Sequence, residues 1–313
     1  MVELFTGSSI QRAAENMLRE LGQPPSGNVL LICSQEKSVL AAQLASVLDE
    51  QSIINHTLLL GSRLSSSLDE LRHLVEDIAG RWGLVVLLQP QHASFLFKVI
   101  GRPDLGIRIP EKYLLCDWLA TLPTLIRTYA VDWDQLLARR QNLLARLAGA
   151  KEVHISMAAG AEIVLHPRSW RATSGEVFTT PIERLTEGSI LVDGCAYGGP
   201  PEIPFLLKIK KGRVSNLNDL DMEDRQQKWV RTDLTRDKNS PVLAEFGIGI
   251  NPGALASSDL MEAELALGTC HFGFGNNLAY GGMNPSSYHF DLVVLSPTIT
   301  VDGAVLMRAG SLL

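Results

Sequence analysis

The chain changes rhythm at about Gly149, and each side of that point admits a different architecture. On the amino-terminal side, compact apolar runs alternate with stripes at helical spacing. "NVLLICS" (28–34), "INHTLLL" (54–60) and "LVVLLQP" (84–90) have the length and composition of buried strands. Around them Ile10, Ala13, Ala14, Met17, Leu18 and Leu21 recur at helical intervals, "EKSVLAAQLASVLDE" (36–50) returns to helix, and Leu68, Leu71, Leu74, Val75 and Ile78 form another stripe. Helical patterns around Trp118 to Tyr129 and Trp133 to Leu147 close this half. Such a β-α-β-α alternation predicts a parallel sheet with helices on its faces. No glycine-rich turn follows "NVLLICS", so the dinucleotide fingerprint is missing from the place where it would act.

Beyond Gly149, glycine and proline punctuate brief apolar runs. "KEVHISM" and "AEIVLHP" read as short strands joined by the turn "AAG", and the pattern continues to the carboxyl terminus. At 313 residues the chain exceeds the size at which one core keeps growing. The expected fold class is therefore α/β, with a parallel α/β domain over residues 1–149 and a strand-rich α+β domain over residues 150–313. Every concentrated polar constellation lies in the second.

Several function classes drop out on charge and hydropathy. The net charge of −6 comes from interspersed acids, and no run of lysine or arginine offers the cationic stripe that a phosphate backbone requires, so no nucleic acid partner is expected. The longest apolar runs are too short to cross a bilayer, and "MVELFTGSSI" lacks the basic flank and apolar block of a leader, which together predict no membrane association and a cytoplasmic protein. Cys33, Cys116, Cys195 and Cys270 are scattered without a C-x-x-C spacing. They read as reduced thiols rather than as a disulfide framework or zinc knuckle.

The window "GTCHFGFGNNLAYGGMNPSSYHFD" (268–291) holds two of the seven histidines of the chain. With "SSYHFDLVVLS" as a strand, the period of two puts His289 and Asp291 on one face and Phe290 on the other. His271 lies on a neighbouring segment where Gly268, Gly273 and Gly275 permit close backbone approach. Two imidazoles and a carboxylate suit a divalent metal, zinc and iron alike; a plain hydrogen-bonded His-Asp pair is the blander reading. Glu176 in "TSGEVFTTP" sits in an apolar, strand-like context, and Glu245 in "PVLAEFGIGINPGA" at the end of an apolar run before a glycine turn. Acids are seldom buried unpaired, so each is a candidate ligand or a structural acid bonded to turn amides.

These motifs, "SGEVFTTP", "AEFGIGINPGA", "ELALGTCHFGFG" and "YGGMNPSSYHFD" in that order, resemble the aminopeptidase T and aminopeptidase S family of metallopeptidases. The resemblance is to its shorter relatives, which include proteins similar to 2,5-dihydroxypyridine dioxygenase, a mononuclear-iron ring-opening enzyme. It runs from about Lys151 to Gly310. In the peptidase branch two divalent metals are held by two glutamates, two histidines, a tyrosine and an aspartate, which would here be Glu176, Glu245, His271, Tyr280, His289 and Asp291. Tyr280 is preferred to Tyr288, which should face away from its strand neighbour His289. The tyrosine spacing and the short stretch from His271 to His289 depart from the peptidase pattern.

The resemblance implies Glu264, in "MEAELALGT", as a proton carrier; a solvated helix face accounts for Glu262 and Glu264 equally well. Arg168 and Arg171 are candidate clamps for a substrate carboxylate, or ordinary surface arginines. Glu176, Glu245 and Asp291 carry three negative charges, which two divalent cations offset with room for one hydroxide. Convergence of His271, His289 and Asp291 alone would instead make the triad of a non-haem iron enzyme. The leading expectation is a two-metal aminopeptidase using zinc, cobalt or manganese on a peptide substrate. The alternatives are an Fe(II) ring-cleaving dioxygenase with a small-molecule substrate, or a non-catalytic binding protein on the same scaffold, as in natural-product biosynthesis. A homodimer is implied by the resemblance only.

Overall fold

The structure, a computed structural model, describes residues 6–20, 28–60, 84–88, 112–115, 121–173, 175–196, 199–256 and 259–313. The stripe over Leu68 to Ile78, Leu21, Trp118 and Cys116 lie outside the described residues. The chain divides into two compact units, Met1–Val131 and Asp132–Leu313.

In the first unit, helix α1 (Gly7–Glu20) buries Ala13, Ala14, Met17 and Leu18, and α2 (Ser38–Glu50) buries Leu40, Ala41, Leu44, Val47 and Leu48. Strands β1 (Val29–Ser34), β2 (Asn55–Leu60), β3 (Leu84–Leu88) and β4 (Lys112–Leu115) form one sheet in the order β2-β1-β3-β4, every pair parallel. The continuous apolar run of β1 follows from its central place, where both faces are covered. Helix α3 (Leu122–Tyr129) starts at a Thr121–Thr124 capping box with proline in its first turn. Its carboxyl end is tied down by buried Asn16, which donates to the carbonyls of Tyr129 at 2.7 Å and Val131 at 3.1 Å.

The second unit begins with α4 (Trp133–Leu147), capped by Asp132, whose carboxylate accepts from the backbone N–H of Gln135. The sequence reading places the change of domain at Gly149; the compact unit starts before α4, which packs on two strands of its sheet, β7 (Pro167–Ala172) and β8 (Glu176–Pro181). Arg139 and Arg140 of this helix donate to the carbonyls of Ile250 and Thr173, bracing the chain on both sides of the site described below.

Two antiparallel sheets make up the rest. The larger joins β5 (Val153–Ser156), β6 (Glu162–Leu165), β9 (Glu187–Val192), β10 (Phe205–Lys210), β11 (Arg213–Val214), β15 (Thr298–Val301), β16 (Ala304–Arg308) and β17 (Ser311–Leu312) in the order β11-β10-β9-β6-β5-β15-β16-β17. The smaller runs β14-β13-β12-β8-β7, with β12 at Leu243–Gly249, β13 at Thr269–Gly275 and β14 at His289–Leu295. Helix α5 (Arg225–Leu234) precedes β12, and the short α6 (Leu260–Leu265) packs on β12, β13 and β14. The free edge of β14 is covered by backbone bonds from Gly194 to Val293 and from Val293 to Cys195, which blunts it as a template for further pairing.

The register of the smaller sheet sorts its residues. Phe246, Phe272 and Leu292 share one row, and Ile248, Cys270 and Val294 another. This face is the core, with Phe246 and Phe272 rings 5.3 Å apart and Phe274 and Phe290 stacked at 5.7 Å. Glu245, Gly273 and Asp291 share a row on the opposite face, followed by Gly247 against His271, Gly249 against Glu176, and Gly275 against His289. The two-residue period thus keeps Phe246, Phe272, Phe274 and Phe290 on the face away from Glu245, His271, His289 and Asp291.

Candidate metal centre

The glycine turn expected directly after Glu245 is strand interior, and so is the glycine-rich segment that carries His271. Gly247 and Gly249 belong to β12, and Gly273 and Gly275 to β13; the turn after β12 comes at Asn251 to Gly253. Bare backbone there makes a floor. A Cβ on Gly247 would stand 2.0 Å from His271 Cε1 and 2.2 Å from its Nε2; one on Gly273 would stand 2.6 Å from Asp291 Oδ1 and 2.8 Å from His289 Nε2. An irregularity between Leu243 and Glu245 shifts the β12 register at the site, as bulges do where a side chain must be re-aimed.

Six of the predicted residues converge on this floor. His271 Nε2 lies 3.3 Å from Glu176 Oε2 and 3.6 Å from Glu245 Oε1; His289 Nε2 lies 3.4 Å from Glu245 Oε2 and 3.3 Å from Asp291 Oδ1. Glu245 therefore faces one imidazole with each oxygen. Two overlapping groups result, Glu176-Glu245-His271 and Glu245-His289-Asp291, each compact enough for one ion. No such group joins His271 to His289 and Asp291 among the described residues. Tyr280, in the short turn Leu278–Tyr280, sets its ring edge-on to His289 at 5.5 Å and to Phe178 at 5.7 Å. Tyr288 is elsewhere, stacked on Phe290 beneath the Arg236 guanidinium.

Glu264 and Glu262 are not on a solvated helix face. Both are buried, because α6 lies against the sheet. Glu262 accepts from the backbone N–H of Leu255, whereas Glu264 Oε1 has no hydrogen-bond partner among the described residues. Burial, with the charges of Asp291, Glu176 and Glu245, pushes the Glu264 carboxyl well above the usual range. Burial likewise raises Glu176 to about 7 and lifts the Tyr280 phenol, with the site carboxylates adding to both shifts. Burial opposes charging His271 and His289, yet the surrounding carboxylates outweigh it and hold both imidazoles at about 9. For Asp291 burial is overcome in the other direction by the two histidines, which lower it. The field of the pocket favours positive charge.

The donor set fits divalent metal. Two donors about 2.0–2.2 Å from one tetrahedral ion stand about 3.3–3.6 Å apart, the separation seen in all four nitrogen-to-oxygen pairs and longer than a good charge-assisted hydrogen bond. Buried His271 Nδ1, Asp291 Oδ1 and Glu264 Oε1 have no hydrogen-bond partner among the described residues. Unsatisfied buried polar atoms are rare enough to need a cause, and a cation held by Asp291 would supply one for its Oδ1.

The supports of this site carry no sequence signature. His289 Nδ1 donates to the Asn276 carbonyl at 2.7 Å with Nε2 aimed at the carboxylates, and Thr173 Oγ1 donates to Glu176 Oε1 at 3.2 Å. Buried Asn277 donates to Glu183 and accepts from Asn284 N–H, and Asn284 donates to the carbonyls of Gly275 and Asn239, fixing the loop that carries Tyr280. Arg168 is paired with Glu183 at 2.6 Å, and Arg171 donates to the Ala279 carbonyl. Both arginines brace that loop. The described cysteines, Cys33, Cys195 and Cys270, are buried free thiols, and no helix among the described residues is long and apolar enough to cross a membrane.

No protein-family model and no curated protein matches the chain. Solved structures do. The 2,5-dihydroxypyridine dioxygenase of Pseudomonas putida KT2440 superposes with a TM-score of 0.69, covering 99% of this chain and 98% of its own at 16% identity. AmpT from Thermus thermophilus superposes with a TM-score of 0.66, covering 97% of this chain and 99% of its own, also at 16% identity. The chain has the fold of both. At that identity the likeness speaks for architecture, and the chemistry rests on the side chains.

Proposed function

We propose that the protein is a metal-dependent hydrolase that holds two divalent cations, zinc, cobalt or manganese, and releases amino-terminal residues from peptides. The observation that carries this reading is Glu245, whose two oxygens face two different imidazoles and so belong to both donor groups at once. A pair of cations there would acidify a water towards neutrality and polarise a substrate carbonyl. Glu176 and His271 complete one position; His289 and Asp291 complete the other. Glu176, Glu245 and Asp291 balance the cations to within one charge, which a hydroxide offsets. Glu264, buried beside them with Oε1 unpartnered among the described residues, would be ionised once bound cations offset the neighbouring carboxylates, and would then take a proton from that water and return it to the departing amine. Tyr280, its ring edge-on to His289, would add a phenolic oxygen to the donor set.

A second reading, an Fe(II) dioxygenase acting on a hydroxylated pyridine ring, is favoured by the equally good superposition on 2,5-dihydroxypyridine dioxygenase. The two separate in one pair of assays. Protein loaded with zinc, cobalt or manganese is expected to release amine from aminoacyl anilides, while anaerobically prepared ferrous protein consumes no oxygen with dihydroxypyridines. The opposite pattern would transfer the assignment to the dioxygenase, and inactivity in both with no metal bound would leave a binding protein.

A further inference from the structure

The two donor groups match in composition, each with one imidazole and two carboxylate partners, but their surroundings differ in three ways. His289 Nδ1 already has its acceptor, the Asn276 carbonyl at 2.7 Å, so the proton is fixed on Nδ1 and the Nε2 lone pair is presented to Glu245 and Asp291. An acceptor in that place also makes the imidazole a stronger donor. His271 has none among the described residues: its Nδ1 is buried without a partner there, and the residue is 1% exposed. For His271 to bind through Nε2, the proton it keeps must stay on Nδ1, where no described residue accepts it, while any proton on Nε2, which faces Glu176 and Glu245, must be given up. Thirdly, the Thr173 hydroxyl donates into Glu176 Oε1, drawing density from a carboxylate of the His271 group. Among the described residues no corresponding side-chain hydroxyl bonds Asp291, and its Oδ1 has no hydrogen-bond partner.

We propose that the two cation positions are inequivalent and fill in order, the His289 position first and the His271 position second. This rests on the two-cation reading above. Outer partners of ligating histidines typically change metal affinity about 10- to 100-fold, so a separation of at least about ten-fold is expected.

Metal-free full-length protein would be titrated with cobalt(II) against a chromophoric chelator, and crystals soaked with half an equivalent of zinc would be measured at the zinc edge. The expected titration has two steps, with anomalous density first beside His289 and Asp291. His271→Ala should keep the tight step and lose the weak one, and His289→Ala should leave only the weak one. Two equivalents bound with one affinity, or density appearing first beside His271, would overturn the order; the soak needs no variant to fold. Saturation at a single equivalent would instead remove the two-cation reading, and the order with it.

Discussion

Replacing Gly247 by alanine is expected to empty the His271 position and to lower hydrolysis on the order of 10²-fold. The added Cβ would lie 2.0 Å from His271 Cε1 and 2.2 Å from Nε2, a separation that atoms do not tolerate. His271 cannot swing outward, because it is 1% exposed and enclosed by neighbouring strands. A misplacement of about 1 Å in a catalytic group is enough for a loss of that size. Since the clash falls on a side chain, the sheet survives, with overpacking costing about 1–3 kcal/mol. Gly7→Ala, at a helix start where a Cβ meets nothing within 4 Å, serves as the control and should change neither activity nor metal content. Metal analysis, steady-state kinetics and denaturant melts on the two variants check this. Unchanged metal content and activity in Gly247→Ala would show that the imidazole does not bind where it lies.

Glu245→Gln is expected to do more, removing both cations and taking hydrolysis to background. The substitution keeps the volume but replaces one oxygen by an N–H donor, so one of the two donor groups loses its shared ligand outright and the other loses charge. Glu176→Gln touches only the His271 group and should lower occupancy there alone. The contrast between the two variants is the informative quantity. If Glu245→Gln retains one full equivalent while Glu176→Gln loses the other, Glu245 is not shared. Melting temperatures with and without added zinc would separate loss of metal from loss of fold, because a ligand that binds only the native state raises them.

Much of this arrangement is legible in the sequence, for a physical reason that applies unevenly. A strand period of two fixes the relative direction of His289, Phe290 and Asp291 whatever the rest of the chain does, and the β-α alternation of the first half fixes a parallel sheet. Gly247 and Gly273 were visible as residues but not as strand positions. Glycine is the usual sign of a turn, and only the facing imidazole and carboxylates explain its place in a sheet. Glu264 was ambiguous because a six-residue helix has too few turns to display a buried face by periodicity, and its burial comes from packing on β12 to β14. The Asn276 carbonyl was unreadable in principle, since a backbone acceptor leaves no mark on residue identity. Asn277 and Asn284 are ordinary polar residues whose role depends on partners distant in sequence, Glu183 and Asn239.

The account turns on a carboxylate shared between two positions, so the number of cations per chain tests it most directly. Purified without chelator, saturated with zinc or cobalt and freed of excess metal, the protein should contain two equivalents per chain by mass spectrometry of the elements. One equivalent, or none, would contradict it.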